Sequence, residues 1–491
     1  MRIRFKILCC LTVVSASAWS QDFDRQIFSD ADILGTARYV AMGGAFAALG
    51  GDVSAVVDNP AALGVFRHGE VSATGDFAYD RVLSAGVINT STRFSIPQFS
   101  WVINFNYGAD RQRGLLCSSL MLQYHRLKNY KRNSSFAAPS DVSLTDLVAD
   151  LTNGLKEVQL QEPHWWESDN VGTLSKTGYE LGLITVNPAN EERWLSILSE
   201  GQNVNTSMKV EESGSVNEYS IAWGGNISNL FYVGLGANMH SVSYSRRTDY
   251  QETFEDKDFF LISSFTASGF GFNANLGFIV RPVSWMRMSL SYQTPTWNSL
   301  SQSSYTMGNS HIVKVTDFTH RTDTYTDNSY MLPMRMTAGM AFQISQLGLF
   351  SMQYEWSHLP KQVIDDVHRM KVGTEWIIHN NFFLRTGYAF SSALRKNDML
   401  FTPSYNDLRS DTDFKNMKYL HYISAGVGFR KRYMLVDLAY QCRIERSKEY
   451  AFARPIYNGV DSKQERWEYV SYDMKSFTHR IVLSIGWTYK R

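Results

Sequence analysis

Near the C-terminus Ile481, Leu483, Ile485, Trp487 and Tyr489 alternate with Arg480, Ser484, Gly486, Thr488 and Lys490. Side chains on a strand point alternately to its two faces, so this pattern predicts a strand with one apolar and one polar face. The segment before it repeats the pattern: Met434, Val436, Leu438, Tyr440, Cys442 and Ile444 against Asp437, Gln441, Arg443 and Glu445. Residues 101–107, 270–278, 286–293, 334–344 and 350–356 follow the same rule. The whole chain yields about 14 such segments, near 70–80, 98–107, 114–126, 218–226, 230–246, 264–280, 286–297, 331–344, 348–357, 368–378, 382–390, 419–430, 433–446 and 476–489.

A soluble sandwich also alternates. Three features favour lipid. The segments run about 9 to 13 residues, the length of a tilted membrane strand. Their apolar faces often end in an aromatic, as at Tyr107, Trp356, Trp487 and Tyr489, which suits an interfacial girdle. Every second connection is short (108–113, 227–229, 281–285, 345–347, 379–381 and 431–432) and the others are mostly long, the longest spanning 127–217. Short turns on one side and long loops on the other is the layout of outer-membrane barrels. The fold expected is all-β: a transmembrane antiparallel β-barrel of about 14 strands over residues 70–491.

The N-terminus fits export. Arg2, Arg4 and Lys6 precede a short apolar run, and Ala18-Trp19-Ser20 suits cleavage before Gln21, so residues 1–20 read as a signal peptide. No run of 18 apolar residues follows, so no membrane helix is expected. Aromatics make up 14% of the chain, and an exported, aromatic-rich chain without an apolar helix can satisfy its backbone in lipid only as a closed barrel. The net charge of +1 argues against a nucleic-acid partner. Cys117 and Cys442 are too few for a disulfide framework, and alternation puts Cys117 inside and Cys442 outside. The chain carries no H-E-x-x-H, no G-x-S-x-G and no clustered Cys/His spacing. No enzyme activity, metal or cofactor is expected.

A barrel of this width leaves a lumen. Residues 21–69 are the candidate plug. Within them 35–64 are dense in Gly and Ala, with doublets at Gly43-Gly44 and Gly50-Gly51. They lack clean alternation, which predicts short helices and turns. An extra strand pair or a periplasmic tail is the other reading. Gly35-Thr36-Ala37-Arg38, Met42-Gly43-Gly44-Ala45, Gly50-Gly51-Asp52 and Asn59-Pro60-Ala61 before Leu63-Gly64 resemble the hatch of the FadL/TodX outer-membrane transporter family, in the form found in Bacteroidetes. The tripeptide alone is unspecific, because Asn187-Pro188-Ala189 repeats it in the long loop, where it reads as a turn. The resemblance implies a plugged 14-strand barrel that passes long-chain fatty acids or aromatic hydrocarbons, with lateral exit through the wall. It places Asn59, Pro60 and Ala61 in the hatch motif and a wall gap near Ser118-Ser119 on the third strand.

Other candidates are weaker. Residues 143–151 have helical spacing with Ser143 and Asp146 at the start, and 191–198 read as a second short helix. Trp165 and Trp166 in this loop suit a ligand-capture groove or the loop's own core. Alternation turns Arg287, Arg335, Glu355, Lys371, Glu375, Arg385, Arg430, Asp437, Arg443, Glu445 and Arg480 inward. They suit hatch anchoring, with Asp52 or Asp58 as partners, a ligand carboxylate, or plain lumen-wall pairing. Expected partners are outer-membrane lipid and a small hydrophobic ligand, with a monomer as the assembly state. The rival readings are a docking barrel for a protein secretion system and a surface adhesin or structural barrel.

Overall fold

The computed structural model describes residues 27–489 apart from 30, 109–110, 112, 168–169, 200, 256, 313–315, 346, 359–365, 380, 393–399, 401–408 and 458–463. The expected signal peptide lies outside the described residues. The wall is built from β1 (Gly69–Ser84), β2 (Val87–Asn106), β3 (Leu115–Ser140), β6 (Val204–Ile227), β7 (Phe231–Phe254), β8 (Lys257–Val283), β9 (Met286–Gln293), β10 (Thr296–Ser310), β11 (Thr316–Leu332), β12 (Met334–Ile344), β13 (Gly348–His358), β14 (Val367–His379), β15 (Phe382–Ser392), β16 (Phe414–Lys431), β17 (Met434–Tyr457) and β18 (Gln464–Tyr489). All neighbours are antiparallel. The sheet closes because β1 pairs with β18 and β8 pairs with β9.

These 16 segments make 14 staves. Gln293 opposes Arg335 and Thr296 opposes Leu332, so one register runs through β9/β10 and β12/β11. In that register Pro295 falls opposite Pro333. Neither has an N–H to donate, so the ladder breaks at that height on both staves. Every stave expected from alternation is present, and most extend further from the short-turn end than expected.

The outward faces explain those extensions. Phe231, Val233, Leu235, Ala237 and Met239 point out along the lower part of β7, followed by Ser241, Ser243, Ser245, Arg247, Asp249 and Gln251. The apolar stretch is about 9 residues, which at roughly 3.3 Å per residue and barrel tilt covers about 25 Å, the height of a hydrocarbon belt. Phe270, Phe272, Leu276 and Phe278 on β8, and Ile481, Leu483, Ile485 and Trp487 on β18, continue this exposed band. The barrel therefore spans a membrane in its lower part and stands above it in its upper part.

That rise shortens the long loop. The continuation of β3 to Ser140 and the start of β6 at Val204 reduce it to 141–203. It folds as a cap of α2 (Leu144–Thr152), α3 (Glu157–Gln161), α4 (Thr173–Glu180) and the hairpin β4 (Ile184–Asn187) and β5 (Asn190–Ser196). The expected helix over 143–151 is present as α2, with a capping box from Ser143 and Asp146. The expected helix at 191–198 is instead β5. Thr185 and Val186 oppose Leu195 and Trp194 in the hairpin, and the Trp194 N–H is taken up by Asn153 Oδ1 at 2.8 Å, so pairing with β4 and a side-chain acceptor take the place of helical bonds. Asn187-Pro188-Ala189 is the turn it was read to be: Ala189 N donates to Asn187 Oδ1 at 2.9 Å. Leu147, Val148, Leu160, Trp165, Leu174 and Trp194 form an apolar core with Phe136, Met208, Tyr250, Phe259, Phe452 and Tyr472 of the wall tips. The cap thus closes the upper mouth by packing against both sides of the barrel.

Candidate functional site: hatch, chamber and wall

Residues 33–66 fill the membrane-level lumen, buried among wall residues. Helix α1 (Ala37–Ala41) is capped by Thr36, whose Oγ1 accepts from Tyr39 N. Gly43 and Gly44 follow at φ 62° and 75° and reverse the chain. Gly50 and Gly51 do so again at φ 62° and 66°, a conformation costly for residues with a Cβ. Asp52 caps the 3-10 turn Val53–Val57 and accepts from Thr36 Oγ1 at 2.8 and 2.9 Å. Asn59 caps the next turn, Pro60–Val65, by accepting from Ala61 N at 3.0 Å. Its Nδ2 donates to Ala47 O at 2.9 Å and to Phe278 O of the wall at 3.3 Å. Pro60 suits the first helical position because its missing N–H would be unpaired there anyway. The hatch-motif residues thus converge on one buried element.

The wall is shaped to receive it. A Cβ added to Gly277 would lie 1.9 Å from Asn59 Oδ1, and one on Gly234 2.3 Å from Pro60 C. On the opposite wall Gly387 and Gly373 admit Gly43 and Met42 in the same way, at 2.2 and 2.4 Å. The hatch backbone packs directly onto inward glycines, and that fit sets its seat.

Charge clamps complete the seat. Arg38 grips Glu375 with Nε and Nη2 at 2.8 and 2.9 Å and donates to Gly51 O at 2.9 Å. Arg385 reaches Glu375 and Asp437 at 2.5 Å each. Asp58 accepts from Tyr39 Oη at 2.7 Å and from Gln353 at 3.1 Å, and pairs with Lys371 at 3.2 Å. Arg287 and Arg335 donate to the hatch carbonyls of Leu49 and Val57. Of the lumen charges read from sequence, these anchor the hatch. Arg430 stacks over Phe383 at 5.0 Å near the periplasmic side. Of the two carboxylates suggested as anchors, Asp58 meets the wall, whereas the hydrogen bonds of Asp52 run within the hatch. Arg38 was the anchor missed. Its place in the Gly-Thr-Ala-Arg stretch was visible, but its wall partner was not.

Between hatch and cap lies a chamber of about 130 Å³. Eight of its lining side chains are Arg or Lys and five are Asp or Glu, interspersed with Ile27, Val82, Met417 and Met474. Arg443 lines it and pairs with Glu445 at 2.6 Å and with Asp32 of the N-terminal segment at 3.4 Å. Arg93 of β2 and Lys128 of β3 form its side wall. There the ladder stops. β2 pairs with β3 only from Gln98–His125 down to Asn106–Cys117, whereas β3 pairs with β6 up to Ser140. Above Gln98 the described residues of β2 and β3 form a seam without backbone pairing, bridged near the top by Asn89 Nδ2 to Ser135 Oγ at 3.0 Å. Phe94 and Ile96 point out beside it, 72% and 53% exposed. Pro97 sits at its lower end. At Ser118-Ser119, where a gap was expected, the wall is closed: Ser119 opposes both Asn104 and Gly224.

The capture candidates separate. Trp165 is buried in the cap core, and Trp166 is half exposed against Trp165 and His164. Cys117 faces in and Cys442 out, and both are free.

No family model matches the chain, and no curated protein matches it by sequence. Solved structures do. A Pseudomonas aeruginosa FadL homologue aligns with TM-score 0.54 at 10% identity over 94% of this chain and 99% of its own. The Pseudomonas putida toluene transporter TodX aligns at 0.51 and 11% over 94% and 100%. The Ralstonia pickettii toluene transporter TbuX aligns at 0.51 and 12% over 93% and 99%. The hatch-filled, 14-stave barrel of this chain therefore has the fold of the FadL/TodX-type outer-membrane channels.

Proposed function

We propose that this protein passes small hydrophobic molecules across the outer membrane, with the hatch as gate and the β2/β3 seam as lateral exit. One observation supports the reading: the chamber above the seated hatch is bounded by a wall segment that lacks a hydrogen-bonded ladder and lies beside outward Phe94 and Ile96. A path straight through the barrel is blocked below by the hatch and above by the cap. A path through the seam leads into the apolar belt. The FadL/TodX fold fits this reading. Of the two substrate classes, fatty acids suit the chamber better than aromatic hydrocarbons. Its lining carries eight cations against five carboxylates, interspersed with apolar side chains, and that positive excess matches an amphiphile with an acidic head.

The test is uptake of labelled fatty acids and aromatic hydrocarbons by a deletion strain carrying wild-type protein, Asn59→Ala or nothing, with surface expression verified. Gated transport predicts uptake that requires the gene and changes with the hatch variant. If inserted wild-type protein changes the uptake of no compound, the reading fails. Stoichiometric protein partners on purification would then favour a docking barrel.

A further inference from the structure

On β1 and β16–β18 the outward face changes character just above the apolar belt. Below the rim lie Tyr440, Cys442 and Ile444 on β17 and Ile481, His479 and Phe477 on β18. The next outward positions are Arg446 and Lys448 on β17 and Lys475 on β18. Arg446 lies opposite both Lys475 and Tyr419 in the ladder. Arg81 of β1 opposes Phe477, and Lys418 sits at the β16 bulge beside Tyr419. The intervening residues point inward, where Glu445 meets Lys415 and Glu449 meets Arg132. The cations therefore face the outside.

Five cations share this patch with one carboxylate, Asp473, which pairs with Lys418 at 3.1 Å. Three others lie over aromatic rings: Lys475 over Phe477 at 4.7 Å, Lys448 over Tyr469 at 4.8 Å and Arg446 over Tyr419 at 5.8 Å. At the rim two histidines are held by tyrosines, Tyr388 Oη to His421 Nδ1 at 2.8 Å and Tyr440 Oη to His479 Nδ1 at 2.7 Å. On β6 and β7 the outward positions just above the belt are uncharged, Ser213 and Ser215 facing Ser245 and Ser243. The cations higher up are neutralised internally, Lys209 by Glu211 at 2.6 Å and Arg247 by Asp249 at 2.8 Å. β3 carries one cation at this level, Arg126, bonded to Asn217 and Tyr124. Charge at this level is thus not a general feature of the barrel. One sector concentrates positive charge where lipid head groups meet the wall.

We propose that the outward face of β1 and β16–β18 is a binding site for the phosphate-bearing head groups of outer-leaflet lipid, with Arg81, Arg446 and Lys475 as its main contacts and Lys418 and Lys448 as its upper edge. Lipid is the occupant because the patch is continuous with the apolar belt. A head group bonded there keeps its acyl chains against Ile481, Leu483 and Leu438. Arg and Lys at such a rim attract anionic lipid, and Arg can bind phosphate with two parallel donors. The site is distinct from the lumen route and does not depend on it.

The test uses the folded barrel in phosphatidylcholine bilayers with trace spin-labelled phosphatidic acid, phosphatidylcholine or stearate, reading the immobilised fraction by electron spin resonance. Phosphatidic acid should associate at least about threefold more than phosphatidylcholine. Arg81→Gln/Arg446→Gln/Lys475→Gln should bring the ratio near parity, and Lys209→Gln/Arg247→Gln should leave it unchanged. Arg446→Gln alone serves if the triple variant does not insert. No preference in the wild type, equal loss in the β6/β7 variant, or stearate matching phosphatidic acid would overturn the assignment.

Discussion

Gly277 shows how finely the hatch is fitted. A methyl group there meets Asn59 Oδ1 and, at 2.9 Å, Pro60 Cδ, so Gly277→Ala must push the Asn59 turn off its seat while leaving the ladder intact. Amides around 59–65 should then exchange faster by hydrogen–deuterium mass spectrometry, with unchanged heat-shifted migration of the barrel on a gel. Asn59→Ala reaches the same turn from the other side. It loses the bond to Ala61 N and those to Ala47 O and Phe278 O, about 1–3 kcal/mol of local stability. Glu375→Gln should cost the hatch more. Arg385 is fully buried, and both it and Arg38 would lose a charged partner, a penalty of about 3–5 kcal/mol for breaking a buried pair. Hatch protection should therefore fall further in Glu375→Gln than in Asn59→Ala. The reverse order would mean that the turn, not the clamp, holds the plug.

The cap is an element with its own chemistry. Glu252 lies on β7 well above Met239, the last apolar outward residue of that strand, and so outside the membrane span. It accepts from Ser143 Oγ at 2.5 Å and Leu144 N at 2.7 Å, tying the start of α2 to the wall. Burial pushes its carboxyl from the usual 4.5 up to about 7, against these hydrogen bonds. The folded form thus holds the proton more firmly than the unfolded form. Its contribution to stability is complete below about pH 4.5 and is lost as pH rises through about 7. Protease resistance of 141–203 should be greater at pH 5.5 than at pH 8, and Glu252→Gln should flatten that difference. At this scale the sequence was most readable where structure is local. Period-2 alternation located every stave, and Ser143 with Asp146 located α2. Residues 191–198 misled because Trp194 and Leu195 fit helical spacing, while the pairing that makes them a strand depends on β4. The hatch residues were legible through their glycines. Their clamps were not, because Glu375 and Asp437 lie more than 300 residues away from Arg38 in sequence.

For the whole molecule, the seam and the chamber matter only together. Closure of an antiparallel barrel removes sheet edges, so the stretch without pairing between β2 and β3 leaves an edge on each strand at the height of the chamber. Nothing in the sequence around Ser118-Ser119 or Pro97 announces it, since it depends on which strand β3 follows upward. β3 stays with β6, and β2 stays with β1. On the proposed route Arg93 and Lys128 flank the seam from the chamber side, where an anionic head would pass while its tail enters lipid. Neutralising both should separate substrates by head group. In Arg93→Gln/Lys128→Gln, fatty-acid uptake should fall by about tenfold, the worth of one charge-assisted contact, while toluene uptake should stay within about twofold of wild type. Lys128 also pairs with Asp32 at 3.5 Å, so Asp32→Asn is the control for loss of that tether. A similar selective loss in Asp32→Asn would assign the effect to the N-terminal segment. Equal loss of both substrates in the double variant would mean that the seam residues shape the wall and do not read the head group.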